Sequence, residues 1–127
     1  MEKHKTFEDI KAWQLANKFR KEIYNITRRF PKNEGFVLIP QIRRAVISIA
    51  SNIAEGFGRY SFQDNIRFCL TARGSVNEVL DQLYIAFSEE YIDKNEFNNL
   101  YQKGREIERA INGYMGFLKK QKNSFKS

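Results

Sequence analysis

Cysteine and histidine occur once each in the 127 residues, as Cys69 and His4. A lone cysteine closes no disulfide within the chain. With a single histidine in the N-terminal tail, neither a Cys/His zinc cage nor a Cys–His or Ser–His nucleophile pair can be assembled in one subunit. Only two prolines and seven glycines appear. No apolar run approaches the ~20 residues of a membrane span, and Met1 to Lys11 lacks the apolar core of a signal peptide. A cytoplasmic protein that uses no metal and no cofactor is therefore expected.

What is present describes a globular chain. Hydrophobic residues make up 42% and charged residues 29%, with 11 Phe, 6 Tyr and 1 Trp, enough for one core in a chain of single-domain length. The net charge of +7 is uneven. Residues 1–33 carry nine basic and four acidic side chains and residues 93–127 carry eight and four, whereas residues 60–92 carry two and five. If the two ends of the chain pack side by side they form one electropositive face, which suits a nucleic acid or another polyanion.

Apolar periodicity close to 100° per residue predicts four helices and no strand. The first is expected over about Phe7–Arg29, with Thr6 and Asp9 as a capping box and Ala12, Leu15, Ala16, Phe19, Ile23, Ile26 and Phe30 facing the core. Trp13 and Tyr24 flank that face, a placement that favours packing over base stacking. The second starts near Pro40 and runs to about Phe57. Its stripe is Ile42, Val46, Ile49, Ile53 and Phe57, with a second strip of Ile47, Ala50 and Ala54, and Ala45, Asn52 and Gly56 form a small-residue flank. Gly56-Phe57-Gly58 reads as a stop in which glycine takes the left-handed conformation. The third helix, capped by Ser61 and Asp64, is expected to reach Glu90, with apolar residues over more than half its circumference. The fourth, capped by Asp93 and Glu96, is expected to reach about Lys120 and to be weakened by Gly104, Gly113 and Gly116. The predicted organisation is one all-α, antiparallel up-down-up-down four-helix bundle over residues 1–118, followed by a basic disordered tail, 119–127. Surplus apolar surface on helices two and three argues for a homo-oligomer.

The candidate nucleic-acid-binding residues follow from charge. Lys11, Lys18, Lys21, Arg28 and Arg29 gather on one side of helix one with Glu22 the main acid nearby, and Lys103, Arg105 and Arg109 of helix four are placed to extend them. Arg43 and Arg44 could contact phosphates, but the favoured reading makes them members of a structural ion-pair network with Glu55 or Glu78. Arg73 and Asn77 fall inside an apolar arc and read as polar contacts at a subunit interface. Asn52 and Gly56 read as close-packing positions. Glu55 and Glu78 have no histidine or further acid beside them, so neither a metal site nor an acid–base pair is expected, and no catalytic residue is assigned.

The run Gln41-Ile42-Arg43-Arg44-Ala45 followed by Ser51-Asn52-Ile53-Ala54-Glu55-Gly56-Phe57-Gly58-Arg59 resembles the signature of the bacterial four-helix bundle proteins encoded in 23S rRNA intervening sequences. That family is itself similar to the accessory variability determinant proteins of diversity-generating retroelements. Ala12-Trp13-Gln14-Leu15-Ala16, Phe30-Pro31, Arg67-Phe68, Ala72-Arg73-Gly74-Ser75 and Glu78 extend the resemblance over about residues 7–118. Ala50 stands where many relatives have proline, and Pro40 where they often have a small polar residue. The resemblance implies an up-down bundle assembled as a homopentameric ring with an electropositive surface, with nucleic acid and a reverse transcriptase as the retroelement relatives' partners. The function expected is a non-enzymatic, oligomeric accessory protein that binds RNA or DNA, RNA preferred through the resemblance. The alternative is a protein–protein adaptor that docks a partner enzyme without touching nucleic acid.

Overall fold

The computed structural model describes residues 4–126, with side chains as far as Ser124. Four helices follow one another: α1 Lys11–Thr27, α2 Leu38–Phe57, α3 Phe62–Ser88 and α4 Lys94–Lys126. Each packs on its sequence neighbour, and α4 closes the bundle against α1. Short connections between successive helices give the up-down-up-down order. No strand occurs among the described residues, and no helix there is long and apolar enough to cross a membrane.

The core is built from the periodic residues of all four helices. Phe19 and Ile23 of α1, Ile42, Val46, Ile49 and Ile53 of α2, Val76, Val79 and Leu83 of α3, and Ile107 and Ile111 of α4 are essentially without solvent exposure. Burying a side chain of this size stabilises the fold by roughly 1.5–3 kcal/mol, which the entropy of ordering the chain largely offsets.

Helix ends depart from the sequence expectation, each for a local reason. Helix one is not continuous from Phe7: Phe7–Asp9 forms a single 3-10 turn, and α1 begins only at Lys11. The Asp9 carboxylate accepts the backbone N–H groups of Lys5 (2.9 Å) and Thr6 (3.1 Å). Ile10 then turns to an extended conformation, which sends its side chain into the core. α2 starts at Leu38, so Pro40 sits inside the first turn, where its missing N–H has no intrahelical acceptor to lose. Of the two capping boxes predicted further on, the one at Asp93 is complete, while at Ser61 only the serine half forms and the Asp64 carboxylate pairs with Arg67. Ser61 Oγ accepts Asp64 N–H at 3.1 Å, and Asp93 and Glu96 close a reciprocal box at 2.8 and 3.0 Å.

α4 continues to Lys126, so residues 119–126 are helical rather than a disordered tail. Leu118 is still buried there, and Lys122 Nζ donates to Gln63 Oε1 of α3 at 2.6 Å. Residues 1–3 of the expected domain and Ser127 of the expected tail lie outside the described residues.

The glycine expectation also changes. None of the described glycines has positive φ; Gly58 is right-handed at φ −79°. The left-handed residue is Glu90, at φ 64°, which ends α3 with Glu90 N–H to Phe87 O (3.0 Å) and Tyr91 N–H to Ala86 O (2.8 Å). That is a Schellman closure made without glycine. Gly56 is buried within α2, where an added Cβ would lie 2.7 Å from Asn65 Oδ1 and 2.8 Å from Phe68 Cβ, so its role is close approach to α3. Gly104 lets α4 pass Leu80 of α3 in the same manner, rather than merely weakening its helix.

Candidate nucleic-acid interface

α1 and the two residues that follow it carry six basic residues and one acid, Glu22, between Lys11 and Arg29. The apolar residues at 12, 16, 19, 23 and 26 turn one face into the bundle, which leaves Lys11, Lys18, Lys21 and Arg28 exposed on the opposite side. Glu22 does not neutralise that side. It leans towards α4 and pairs with Lys103, in a groove of about 260 Å³ also lined by Leu15, Lys18, Phe19, Glu106 and Ile107. Arg28 donates to Asn25 Oδ1 at 2.7 Å, a neutral partner. Arg29 is different: it pairs with Glu96 across the loop end of the bundle.

The α4 candidates do not continue the strip. Lys103 is tied to Glu22. Arg105 faces α3, where its guanidinium donates to Tyr101 Oη (2.7 Å), Glu108 Oε1 (2.9 Å) and Asn77 Oδ1 (3.2 Å). The Tyr101 and Glu108 contacts push its pKa above the ordinary arginine value. Arg109 is exposed and has no carboxylate within ion-pair distance among the described residues. Of eight sequence candidates, Lys11, Lys18, Lys21 and Arg28 share the exposed side of α1; Lys103 lines the same groove as Lys18 but is tied to Glu22, Arg29 and Arg105 are paired with Glu96 and Glu108, and Arg109 is exposed on α4.

The residues expected to be structural take different partners from those expected. Glu55 pairs with Arg59 at 2.8 Å, one turn along, and not with Arg43 or Arg44. Arg43 crosses from α2 to α1 instead: Nε donates to Thr27 Oγ1 at 2.9 Å and the guanidinium lies 4.5 Å from the centre of the Tyr24 ring. Arg44 and Glu78 are exposed on different helices and form no pair. Arg73 and Asn77 sit on the rim between α3 and α4 and are satisfied within the chain, by Asn112 (2.8 Å) and by Glu108 and Arg105. Their apolar neighbours are partly covered within the chain as well. Tyr84 packs on Phe97 and Tyr101, and Phe87 stacks on Phe97, so α4 itself covers part of the arc that the sequence left for a second subunit.

Asn52 donates to Ser48 O and Oγ, both at 2.8 Å, and Ser48 Oγ meets Ser75 Oγ of α3 at 2.8 Å, a polar seam beside the close approach at Gly56. Three contributors escaped sequence reasoning. Asn65 is buried, donates to Tyr114 Oη at 3.1 Å and accepts weakly from Cys69 Sγ. Thr27 is buried and serves as the acceptor for Arg43. Arg20, half-buried, donates to Asn17 Oδ1 at 3.0 Å and lies 5.7 Å from the Tyr24 ring centre. A polar residue on an apolar flank was the available signal for all three. Burial pushes the Cys69 thiol up to about 12, which leaves it protonated and unreactive. No group of three or more His, Cys, Asp or Glu side chains among the described residues could hold a metal ion.

The model of the 23S rRNA-intervening sequence protein family matches residues 8–113. The chain belongs to this family. Its fold is also similar to a crystal structure of a protein of unknown function from the S23 ribosomal protein family of Bacteroides thetaiotaomicron VPI-5482. The TM-score is 0.76 at 24% identity, over 82% of this chain and 97% of that one. No curated protein matches. Family membership goes with the bundle fold; the chemistry of the surface has to be argued from the charges.

Proposed function

We propose that this family member is a non-enzymatic nucleic-acid-binding protein that grips RNA or DNA phosphates through the outer face of α1. One observation carries the reading: Lys11, Lys18, Lys21 and Arg28 are exposed together with no carboxylate paired to any of them among the described residues, because the helix's only acid is engaged with Lys103 of α4. Unneutralised lysines and arginines in a row give affinity that is independent of sequence and falls steeply with salt. The preference for RNA over DNA rests on the family's name.

Assembly into a homo-oligomer, five subunits by resemblance, belongs to the same proposal. It is supported by Ile47, Leu70 and Ile85, which remain at least 40% exposed on α2 and α3. Repeating the α1 strip around a ring would turn four charges into a band. A second reading, an adaptor that docks a protein, is favoured by the connection before α2, a 3-10 turn over Lys32–Phe36, where Phe36 is 96% and the following Val37 57% exposed. The two readings separate in a salt series of fluorescence anisotropy with a labelled RNA. Phosphate contact gives a slope of about −0.7 to −0.9 in log affinity against log salt for each contact, so four contacts give about −3. A flat response would favour the adaptor.

A further inference from the structure

The flank of α1 that faces α2 places Trp13, Asn17, Arg20 and Tyr24 at successive spacings of four, three and four, all half-buried. Arg43 reaches into this flank from α2. Two guanidiniums thus lie within 6 Å of the centre of one Tyr24 ring, Arg43 at 4.5 Å and Arg20 at 5.7 Å. Every hydrogen-bond partner they have is neutral: Thr27 Oγ1 and Tyr24 O for Arg43, Asn17 Oδ1 for Arg20. Neither has a carboxylate within ion-pair distance among the described residues. The acids of α1, α2 and the segment between them are committed elsewhere: Glu22 to Lys103, Glu55 to Arg59, and Glu34 as acceptor from Tyr91 at 2.7 Å.

Like charges gathered on one ring repel, and half-burial weakens the water that would screen them. A natural complement is an external anion. A guanidinium offers five N–H donors in a planar fork. Arg43 uses Nε and one Nη2 hydrogen here and Arg20 one Nη2 hydrogen, so both retain donors for a ligand. The Tyr24 ring and Thr27 fix the Arg43 plane in advance, which lowers the entropy lost on binding. Tyr24 itself stands three residues from Lys21 and four from Arg28, so the site continues directly into the exposed α1 strip.

We propose that Arg43 and Arg20, oriented by Tyr24 and Thr27, form a dedicated phosphodiester-binding site, the fixed anchor of the nucleic-acid interface on α1. This rests on the reading above and adds to it a fork-specific contact where the lysines supply only charge. The guanidinium fork matches two phosphate oxygens at once, which an ammonium cannot do.

The test uses the full chain and three variants, Arg20→Gln, Arg43→Lys and the double Arg20→Gln/Arg43→Gln, each checked by circular-dichroism melting and light scattering. Arg20→Gln touches only Asn17 and the ring face, so it reports on the site even if a change at Arg43 loosens the fold. Two probes are applied: anisotropy of a labelled single-stranded RNA across a salt series, and thermal stabilisation by inorganic pyrophosphate. The site predicts that Arg43→Lys, although it keeps the charge, weakens RNA binding about tenfold with the salt slope nearly unchanged. The double variant should lower the slope by about 1.4–1.8, two contacts' worth, and abolish the pyrophosphate effect. RNA binding within twofold of wild type in all three variants would overturn the site while leaving the α1 strip as the interface. Pyrophosphate stabilisation without RNA binding would keep the anion site and overturn the nucleic-acid reading. Absence of both in the wild type would overturn both. Loss of oligomer mass in the double variant would overturn the phosphate assignment in favour of a carboxylate from a second copy.

Discussion

The α1/α2 flank and the α3/α4 flank use the same vocabulary of arginine, tyrosine and asparagine to opposite ends. On α3/α4 the polar groups close on themselves: Arg73 on Asn112, Asn77 on Glu108, and Arg105 on Tyr101, Glu108 and Asn77. On α1/α2 no acid pairs with the arginines among the described residues. Arg20 and Arg43 lean on Tyr24 and on neutral oxygens, and the adjoining Lys18 and Lys21 have no ion pair among the described residues. A cation count alone does not distinguish the flanks; where the carboxylates point does. A closed network is a structural device, whereas an acid-free cluster of oriented cations retains capacity for a ligand.

Charge reversal separates the flanks most strongly. Lys18→Glu, Lys21→Glu and Arg28→Glu together should reduce RNA affinity by about a hundredfold or more at moderate salt, with melting temperature and oligomer mass unchanged. The matched reversal of Arg73, Arg105 and Arg109 should lower the melting temperature, because Glu108 loses its partner, and weaken binding far less. Equal losses of affinity in both variants would erase the distinction.

Stability variants sharpen the same picture from the inside. Gly56→Val forces a Cβ to within 3 Å of both Asn65 and Phe68, and should destabilise the bundle by about 2–4 kcal/mol, read as a lower urea midpoint with binding intact at low denaturant. Glu90→Gly removes the left-handed strain at the end of α3 and should stabilise by about 1 kcal/mol. Gly113→Ala, at an exposed helical site with open space for a Cβ, should stabilise by about 0.5–1 kcal/mol.

Tyr114 adds a smaller, pH-dependent effect. Burial pushes its phenol up to about 12 in the folded chain, above the ordinary value of 10.0. The stability it contributes is therefore complete below pH 10 and is lost as pH rises from about 10 to 12. Tyr114→Phe should flatten the alkaline part of the stability profile, measured by urea unfolding across that range.

The fold was legible because it is written in periodicity. The stripes of α1 and α2 and the caps at Ser61 and Asp93 needed no tertiary information. Helix ends were less legible: the end of α3 depends on a non-glycine residue at positive φ, and the last turns of α4 depend on Leu118 and on a hydrogen bond to Gln63. The exposed α1 cations could be read from composition and helix phase. Which of them remain unneutralised could not, since Glu22–Lys103 and Arg29–Glu96 join residues far apart in sequence. Arg43 illustrates the same limit. Its neighbours in sequence suggested an ion pair, and its neighbours in space are a tyrosine ring and a threonine hydroxyl.

The central claim is that the face of α1 bearing Lys11, Lys18, Lys21 and Arg28 binds phosphate. Its most direct measurement is the slope of log affinity against log salt for wild-type protein and a labelled RNA, measured beside Lys18→Glu/Lys21→Glu/Arg28→Glu. The account predicts a wild-type slope of about −3 from the four strip cations, steepened to about −4 to −5 where Arg20 and Arg43 also contact phosphate, and near-complete loss of binding in the variant. A slope near zero, or a variant that binds as tightly as wild type, would contradict it.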